Sequence, residues 1–224
     1  MLAHFMQDAS HEFRTPLSIM LASTYVLRRV SDHPETQENT DIIDEQVARI
    51  RTLLDSLLLI TRLDSEITPQ IRPVSVNYLI EMALEVHHDL IATRDLQIEK
   101  QLSDDVPLVP ADNDLAQRVV SDILHNAIRF SPQGGTVTLT SDAHQDGLII
   151  AISDQGDGIP PDQLQHIFKR LYRADKAHST AGFGLGLPIA RKILDLHQGR
   201  IWIDSRPGQG TTVYIYLSAQ AEAD

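Results

Sequence analysis

The chain lacks cysteine altogether, has few aromatic residues (5%), and carries a formal net charge of -12 over 224 residues because basic residues are scarce. Without cysteine, neither disulfides nor thiolate metal sites can form, and a reducing compartment is expected. No apolar run approaches the roughly 18 to 20 residues that cross a bilayer, so no membrane segment is predicted. Nucleic acid is not an expected partner, because nucleic-acid binders attract phosphate through excess positive charge. A polyphosphate ligand therefore needs a local, specific pocket.

Residues 1–67 place apolar side chains at spacings of three and four, which predicts a hairpin of two helices. The first helix has an apolar face made of Phe13, Leu17, Met20, Thr24 and Leu27. The second helix, for which Pro34 suits the first turn, has a face made of Ile43, Val47, Ile50, Leu54 and Leu57. It carries further apolar residues at Leu53, Leu58, Ile60 and Leu63. Since one partner helix cannot cover so wide a stripe, we predict a dimeric four-helix bundle made from two hairpins, rather than a bundle formed with the following domain.

Residues 68–73 contain two prolines and few apolar side chains, and we predict a linker there, followed by a second domain over residues 74–220. Helices are predicted at 76–92, 114–130 and 187–196. Strands are predicted at 96–102, 136–141, 148–154, 200–205 and 211–217. This order predicts an α+β sandwich, with helices on one side of a mostly antiparallel sheet.

His11 is predicted to point toward solvent, because it lies two positions before Phe13 and so about 200° from the apolar face. Pro16 removes an amide donor and is expected to bend the helix beside it. A neutral imidazole has a ring nitrogen whose lone pair can attack phosphorus. Glu12 could hold the proton of the other ring nitrogen, and Thr15, one turn on, could orient a water. By itself, a histidine among polar residues is usually only a solvated side chain.

Two glycine-rich stretches follow predicted secondary structure in the second domain. Gly156 and Gly158 come just after Asp154, at the end of a strand, where the backbone must turn tightly or approach a ligand closely. The Asp154 carboxylate could accept a hydrogen bond from the amino group of adenine and so select ATP over GTP. Residues 182–187, Gly-Phe-Gly-Leu-Gly-Leu, open a helix whose free amides and positive dipole end could bind phosphates. Neither stretch fits a dinucleotide-binding fold or a Walker loop.

Residues 10–17, Ser-His-Glu-Phe-Arg-Thr-Pro-Leu, resemble the H box of sensor histidine kinases. Residues 154–160 and 182–187 resemble the G1 and G2 boxes of the GHKL ATPases, and residues 126–131, Asn-Ala-Ile-Arg-Phe-Ser, resemble the N box. Residues 167–173 look like the F box, and residues 207–212 look like the glycine-threonine turn that ends these domains. The resemblance covers nearly the whole chain. It implies a phosphotransfer hairpin followed by a GHKL (Bergerat-type) ATP-binding domain.

The resemblance implies a protein histidine kinase of a two-component system that uses ATP and Mg²⁺. His11 would accept the γ-phosphoryl group and pass it to an aspartate on the receiver domain of a response regulator. Glu12 would assist as a base, and Thr15 would support dephosphorylation of the partner. The expected assembly is a homodimer through the hairpin. We expect a cytoplasmic catalytic portion, with a sensor region N-terminal to it and a possible membrane anchor in the full-length protein.

The same resemblance implies a set of nucleotide contacts. Asn126, with Asp122, would hold Mg²⁺, Arg129 would contact phosphate, and Phe130 would wall the pocket. The other residues implied to bind the nucleotide are Asp154, Gly156, Gly158, Lys169, Arg170, Tyr172, Arg173, Gly182, Gly184, Leu185, Gly186 and Leu187. Residues 159–182 would form a mobile lid.

Three residues depart from the family pattern: Asp122 stands in place of the usual Asn, Leu171 in place of Phe, and Lys169 in place of an acidic residue. Related ATPases use a carboxylate at the position of Asp122 to activate water, so the chain could also hydrolyse ATP; a tolerated polar substitution is the favoured interpretation. Two other functions stay open. One is a gyrase-like or MutL-like ATPase that forms no phosphohistidine, and the other is a dimerisation scaffold with an inactive nucleotide site. A serine kinase of the anti-sigma type would not need the hairpin.

Overall fold

The computed structural model describes residues 2–31, 33–64, 67–172 and 183–220, and within residues 2–15 it describes the backbone and the Phe13 side chain. The chain divides into two compact units, Met1–Ile67 and Thr68–Asp224. The fold class predicted from the sequence, a helical hairpin followed by an α+β sandwich, is confirmed.

The first unit consists of two long helices, α1 (Leu2–Val30) and α2 (Pro34–Asp64). The second helix begins at Pro34, as predicted, because proline at the first helical position sacrifices no hydrogen bond. Pro16 lies inside α1.

Only part of the predicted apolar face of α1 is buried within one hairpin. Leu17 and Thr24, seven residues apart, are buried, whereas Phe13, Met20 and Leu27 are 44% to 52% exposed. A single partner helix covers only a narrow stripe of α1, and residues seven positions apart, such as Leu17 and Thr24, lie along that stripe. The apolar surface that led us to predict a second hairpin is therefore present and is left uncovered by the single hairpin.

In α2, too, only part of the predicted apolar face is buried within the hairpin. Val47 is buried, whereas Ile43 and Ile50 on the predicted face are 39% and 43% exposed. Both helices thus present apolar side chains that the hairpin itself does not cover.

Polar side chains occupy part of the contact between α1 and α2. The Thr24 hydroxyl donates to Asp44 Oδ1 at 2.5 Å, and the Arg28 guanidinium contacts Asp44 Oδ2 at 2.8 Å. Arg28 Nε also donates to the Thr40 hydroxyl at 3.0 Å, and Thr24 and Thr40 are both buried. Because buried polar groups need partners, these bonds favour one register of the two helices.

The second unit is built around a five-stranded sheet with the order β2-β4-β5-β7-β6. The strands are β2 (Gln97–Leu102), β4 (Thr136–His144), β5 (Gly147–Asp154), β6 (Arg200–Ser205) and β7 (Thr211–Ser218). β2 pairs with β4 in parallel, and the other pairs are antiparallel. A separate two-stranded antiparallel sheet joins β1 (Ile71–Val74) to β3 (Val109–Asp112).

The helices of this unit are α3 (Val76–Val86), α4 (His88–Thr93), α5 (Asn113–Phe130), α6 (Pro161–Leu164) and α7 (Gly186–Leu196). Residues on β4, β5 and β7 alternate between buried and less buried, so one sheet face is apolar. The largest fully buried side chains come from that face and from α3, α5 and α7, and among them are Leu79, Ile123, Leu124, Leu139, Ile150, Ile152, Ile189 and Ile215. These side chains form the core between sheet and helices.

Two strands, the short helix α6 and one helix break differ from the predicted elements. β1 includes residues of the predicted linker, and β3 was not predicted at all. Both strands are short, and Pro73 pairs opposite Pro110. Proline cannot donate a ladder hydrogen bond and is therefore confined to edge strands, which both strands of a two-stranded sheet are. The predicted helix over 76–92 is interrupted at His87, which caps α3 and whose Nε2 lies 3.0 Å from the Ser121 hydroxyl.

His197 ties the end of α7 to the beginning of α5. Its Nε2 accepts a hydrogen bond from the Asp112 amide at 2.9 Å, and its Nδ1 lies 2.7 Å from the Ile193 carbonyl. Asp112 in turn caps α5 by accepting from the amides of Asp114 and Leu115. The two helices that carry the N-box and G2-box motifs are thereby fixed to each other.

Candidate nucleotide site

The N-box helix α5 and the beginning of α7 meet at Gly186. A side chain added at Gly186 would place its Cβ 3.9 Å from Asn126 Nδ2 and 4.0 Å from Asp122 Oδ2. Asn126 and Asp122, one turn apart on α5, therefore lie beside the first residue of α7. The N-terminal end of α7, where the backbone amides are free, therefore lies next to the two side chains that are predicted to bind the metal.

The Asp122 carboxylate is paired with Arg118, one turn earlier on α5. Arg118 Nε donates to Asp122 Oδ2 at 2.8 Å, and the two side chains are 40% and 19% exposed. Burial raises the pKa of Asp122, and the charge and hydrogen bond of Arg118 oppose that rise. Arg118 was not predicted as a site residue, although its spacing of four residues from Asp122 on a helix indicates the pair.

The carboxylate of Asp154 is held at the end of β5 by the loop that follows it. Its Oδ1 accepts a hydrogen bond from the Gly156 amide at 2.8 Å. Burial raises the pKa of Asp154 to about 6, and backbone hydrogen bonds from Gly156 and Thr211 oppose the rise. At neutral pH the group is mostly ionised, so it can accept a hydrogen bond from an amino group.

Gly156 packs against the C-terminal end of α5. A Cβ at this position would lie 2.5 Å from the Phe130 carbonyl oxygen and 2.9 Å from Asp154 Oδ1. Phe130 is exposed, and the Arg129 guanidinium lies 4.9 Å from the centre of its ring. The G1 loop therefore requires glycine and brings Asp154 next to the end of the N box.

The β6–β7 turn supports the G1 loop from the other side. Gly158 and Gly210 have positive φ values of 70° and 82°, and a Cβ on either would collide with the carbonyl of Arg206 or Asp154, respectively. The Ser205 hydroxyl accepts from the Ile159 amide at 2.8 Å and donates to the Gly210 carbonyl at 2.9 Å. Ser205 was not predicted, and no local sequence pattern indicates this contact.

The F-box residues contact the G2 stretch. The Leu171 amide donates to the Gly184 carbonyl at 3.0 Å, and a Cβ on Gly184, whose φ is 65°, would collide with the Tyr172 carbonyl. Lys169 and Arg170 are exposed beside this contact. Leu185 is buried as the N-cap of α7, and Leu187 lies in its first turn.

Several predicted residues cannot be placed. Arg173 and Gly182 lie outside the described residues, and His11, Glu12 and Thr15 lie in α1 with side chains outside the described set. Their roles, and the motion expected of the lid, stay predictions.

The described residues contain no group of three or more His, Cys, Asp or Glu side chains that could hold a metal ion. Mg²⁺ usually keeps several waters and takes one or two protein oxygens plus substrate phosphates. The neighbouring Asn126 and Asp122 side chains fit that limited requirement, with Gly186 leaving the space beside them open.

Two family models match the chain. Residues 1–66 match the His Kinase A (phospho-acceptor) domain. Residues 111–221 match the histidine kinase-, DNA gyrase B- and HSP90-like ATPase.

Relatives match over two thirds or more of the chain. The sensor histidine kinase RppB of Synechocystis is 34% identical over 218 residues, which are 95% of this chain and 48% of RppB. The structure of full-length ShkA in complex with AMPPNP has a TM-score of 0.82 and 25% identity, and the match covers 98% of this chain and 47% of ShkA. The structure of the mycobacterial sensor histidine kinase MprB has a TM-score of 0.58 and 30% identity, covering 68% of this chain and 99% of MprB.

The chain spans 36% of the length of the alginate biosynthesis sensor protein KinB of Pseudomonas aeruginosa and 57% of that of the adaptive-response sensory kinase SasA of Synechococcus elongatus. Among the described residues, no helix has the length and apolar character needed to cross a membrane.

Proposed function

The chain belongs to the sensor histidine kinases, and we propose that it uses ATP to phosphorylate His11 and then passes the phosphoryl group to an aspartate of a response-regulator receiver domain. The observation that carries the proposal is the meeting of Asn126 and Asp122 with the first residue of α7. A relative of the same fold binds AMPPNP, an ATP analogue, which supports ATP as the ligand.

In the proposed site, Asp154 accepts a hydrogen bond from the adenine amino group, and Phe130 walls the base. The free amides at the start of α7, near Gly184 and Gly186, bind the phosphates. Arg129, Lys169, Arg170, Tyr172 and Arg173 surround them. Asn126 and Asp122 hold Mg²⁺, which supplies positive charge that neutralises the phosphates.

In the proposed reaction, a neutral ring nitrogen of His11 attacks the γ-phosphorus. The new nitrogen–phosphorus bond forms as the bond from phosphorus to the bridging oxygen breaks, so that ADP leaves. Glu12 takes the proton from the other ring nitrogen. Thr15 supports a separate reaction on the partner, in which water attacks the phosphorus of its phospho-aspartate and the aspartate oxygen–phosphorus bond breaks, releasing inorganic phosphate.

We also propose a homodimer through residues 1–67, because the hairpin leaves apolar side chains of both helices uncovered. Residues 74–220 act as the catalytic domain, joined by a linker at residues 68–73. The catalytic portion is proposed to be cytoplasmic.

The experiment is incubation of the protein with γ-labelled ATP and Mg²⁺. We expect label that acid removes and base does not, and its loss in His11→Gln and in Asn126→Ala. Mixing these two variants distinguishes transfer between chains, which restores labelling, from transfer within one chain. Unchanged label in His11→Gln would contradict the assignment of the acceptor.

A second candidate function is ATP hydrolysis without a phosphohistidine, favoured by the Asp122 carboxylate beside Asn126 and Gly186. It predicts ATP-dependent phosphate release from His11→Ala protein that Asp122→Asn abolishes. Absence of release from His11→Ala would dismiss it.

A further inference from the structure

We propose that Arg118 is a positioning residue of the nucleotide site: it compensates the negative charge of Asp122 so that a polyphosphate can approach the start of α7. The inference rests on the proposed nucleotide site. It assigns a role to a residue that lies about two helical turns before the N-box motif.

The geometry places three side chains in a row. Arg118, Asp122 and Asn126 are spaced by four residues and so lie on one face of α5. Arg118 Nε donates to Asp122 Oδ2 at 2.8 Å, and that same oxygen lies 4.0 Å from the position a Cβ would take on Gly186. The paired carboxylate is therefore next to the amides that would bind phosphate.

The need for compensation follows from the charges. A carboxylate attracts the amides and dipole of a helix start but repels the triphosphate that would bind there. Asp122 is only 19% exposed, so water screens this repulsion less than it would at the surface. An arginine that holds the carboxylate removes most of the repulsion and fixes the rotamer of Asp122.

The other charged or titratable groups near Asp122 do not replace Arg118. His87, at the end of α3, faces Ser121 with its Nε2 at 3.0 Å from the hydroxyl, and its ring lies 5.3 Å from the ring of His125. Burial lowers the pKa of both histidines, so both are mostly neutral at pH 7. Arg118 is the group that donates a charged hydrogen bond to the carboxylate.

The test is calorimetric binding of AMPPNP with and without Mg²⁺. We expect Arg118→Met to weaken Mg²⁺-free binding about tenfold, because the unpaired carboxylate then faces the phosphates. Mg²⁺ should shrink the loss, since it neutralises the phosphates. Arg118→Lys should retain most of the affinity, and adding Asp122→Asn to Arg118→Met should restore Mg²⁺-free binding to within about twofold of wild type.

A matched control removes one cation of another ion pair in the same domain. Lys100→Met breaks the contact of Lys100 Nζ with Glu81 Oε1 at 2.7 Å, far from α7 in sequence and on the exposed surface, and should leave binding unchanged. Thermal unfolding of each variant shows whether it is folded. If Arg118→Met does not fold, the Asp122→Asn variant decides the question. If Asp122→Asn binds AMPPNP without Mg²⁺ more tightly than wild type does, the proposal is supported. If it binds AMPPNP equally or more weakly, the proposal is overturned.

Three results would overturn the inference. Arg118→Met binding as well as wild type without Mg²⁺ would remove the role of Arg118 and leave the nucleotide site intact. A double variant as weak as Arg118→Met would mean that Arg118 acts on phosphate directly and not through Asp122. Wild-type protein that binds no AMPPNP under any condition would end both this inference and the proposed function.

Discussion

The hairpin and the sandwich differ in how much of their apolar surface each unit buries by itself. In the sandwich, Leu79, Ile123 and Ile150 are fully buried between the helices and the central strands of the sheet. In the hairpin, Leu17 and Val47 are buried together with polar Thr24 and Thr40, whereas Phe13 and Ile50 remain exposed. A unit with its own closed core can fold alone, whereas the uncovered apolar side chains of the hairpin support the homodimer proposed above.

The strongest test of the closed core is Ile150→Ala. Ile150 is fully buried on β5, so truncation should lower the free energy of unfolding of the sandwich by about 2 to 5 kcal/mol. Urea unfolding followed by circular dichroism measures the loss. Ile149→Ala is the matched control, because its side chain lies on the opposite, less buried face of the same strand and should cost clearly less. Equal losses would mean that the two faces are not distinguished by packing.

The strongest test of the open hairpin is Ile50→Glu. A carboxylate in a two-fold interface must be buried twice, so the dimer dissociation constant should rise roughly a hundredfold or more, without loss of stability in the sandwich. Analytical ultracentrifugation measures the change. Ala48→Glu adds the same group at an exposed position of α2 and serves as the control. An unchanged dimer in Ile50→Glu would place the interface elsewhere.

A charged group inside the sandwich provides the next test. Burial raises the pKa of Asp154 from its ordinary 3.8 to about 6. Because the folded state then binds the proton more tightly than the unfolded state, the contribution of Asp154 to stability falls as the pH rises between these values. Relative to wild type, Asp154→Asn should therefore gain about 2 kcal/mol between about pH 4 and pH 7. Urea unfolding at both pH values measures the gain, and the same difference at both would contradict the raised pKa.

The smallest effect is expected for the polar contact in the hairpin. Thr24→Val removes the hydroxyl that donates to Asp44, and Asp44 keeps its contact with Arg28, so the loss should be about 1 kcal/mol or less. Thr52→Val is the control, since the exposed Thr52 hydroxyl bonds only the Ala48 carbonyl within its own helix. Thermal unfolding is compared at one protein concentration, because dimer stability depends on it. A loss as large as that of Ile150→Ala would mean that the polar contact dominates the hairpin.

Regular patterns in the sequence were sufficient for most of the secondary structure. The alternation on β5 and the four-residue spacing on α5 are local, so a short window contains them. The strands β1 and β3 were missed because each has four residues and is stabilised by a partner more than thirty residues away. The spacing of apolar residues predicted α1 as a helix. Which of those residues are buried and which are exposed depends on how many helices surround α1, and the sequence pattern does not contain that number.

The sequence alone determined which residue types recur with which period, and which glycine stretches could approach a ligand. The tertiary structure decided that Gly186 lies beside Asp122 and Asn126, that Ser205 braces the G1 loop, and that burial raises the pKa of Asp154 to about 6. The reason is physical: periodicity is a property of neighbouring residues, whereas close approach, burial and electrostatic coupling act through space between segments that the chain keeps far apart.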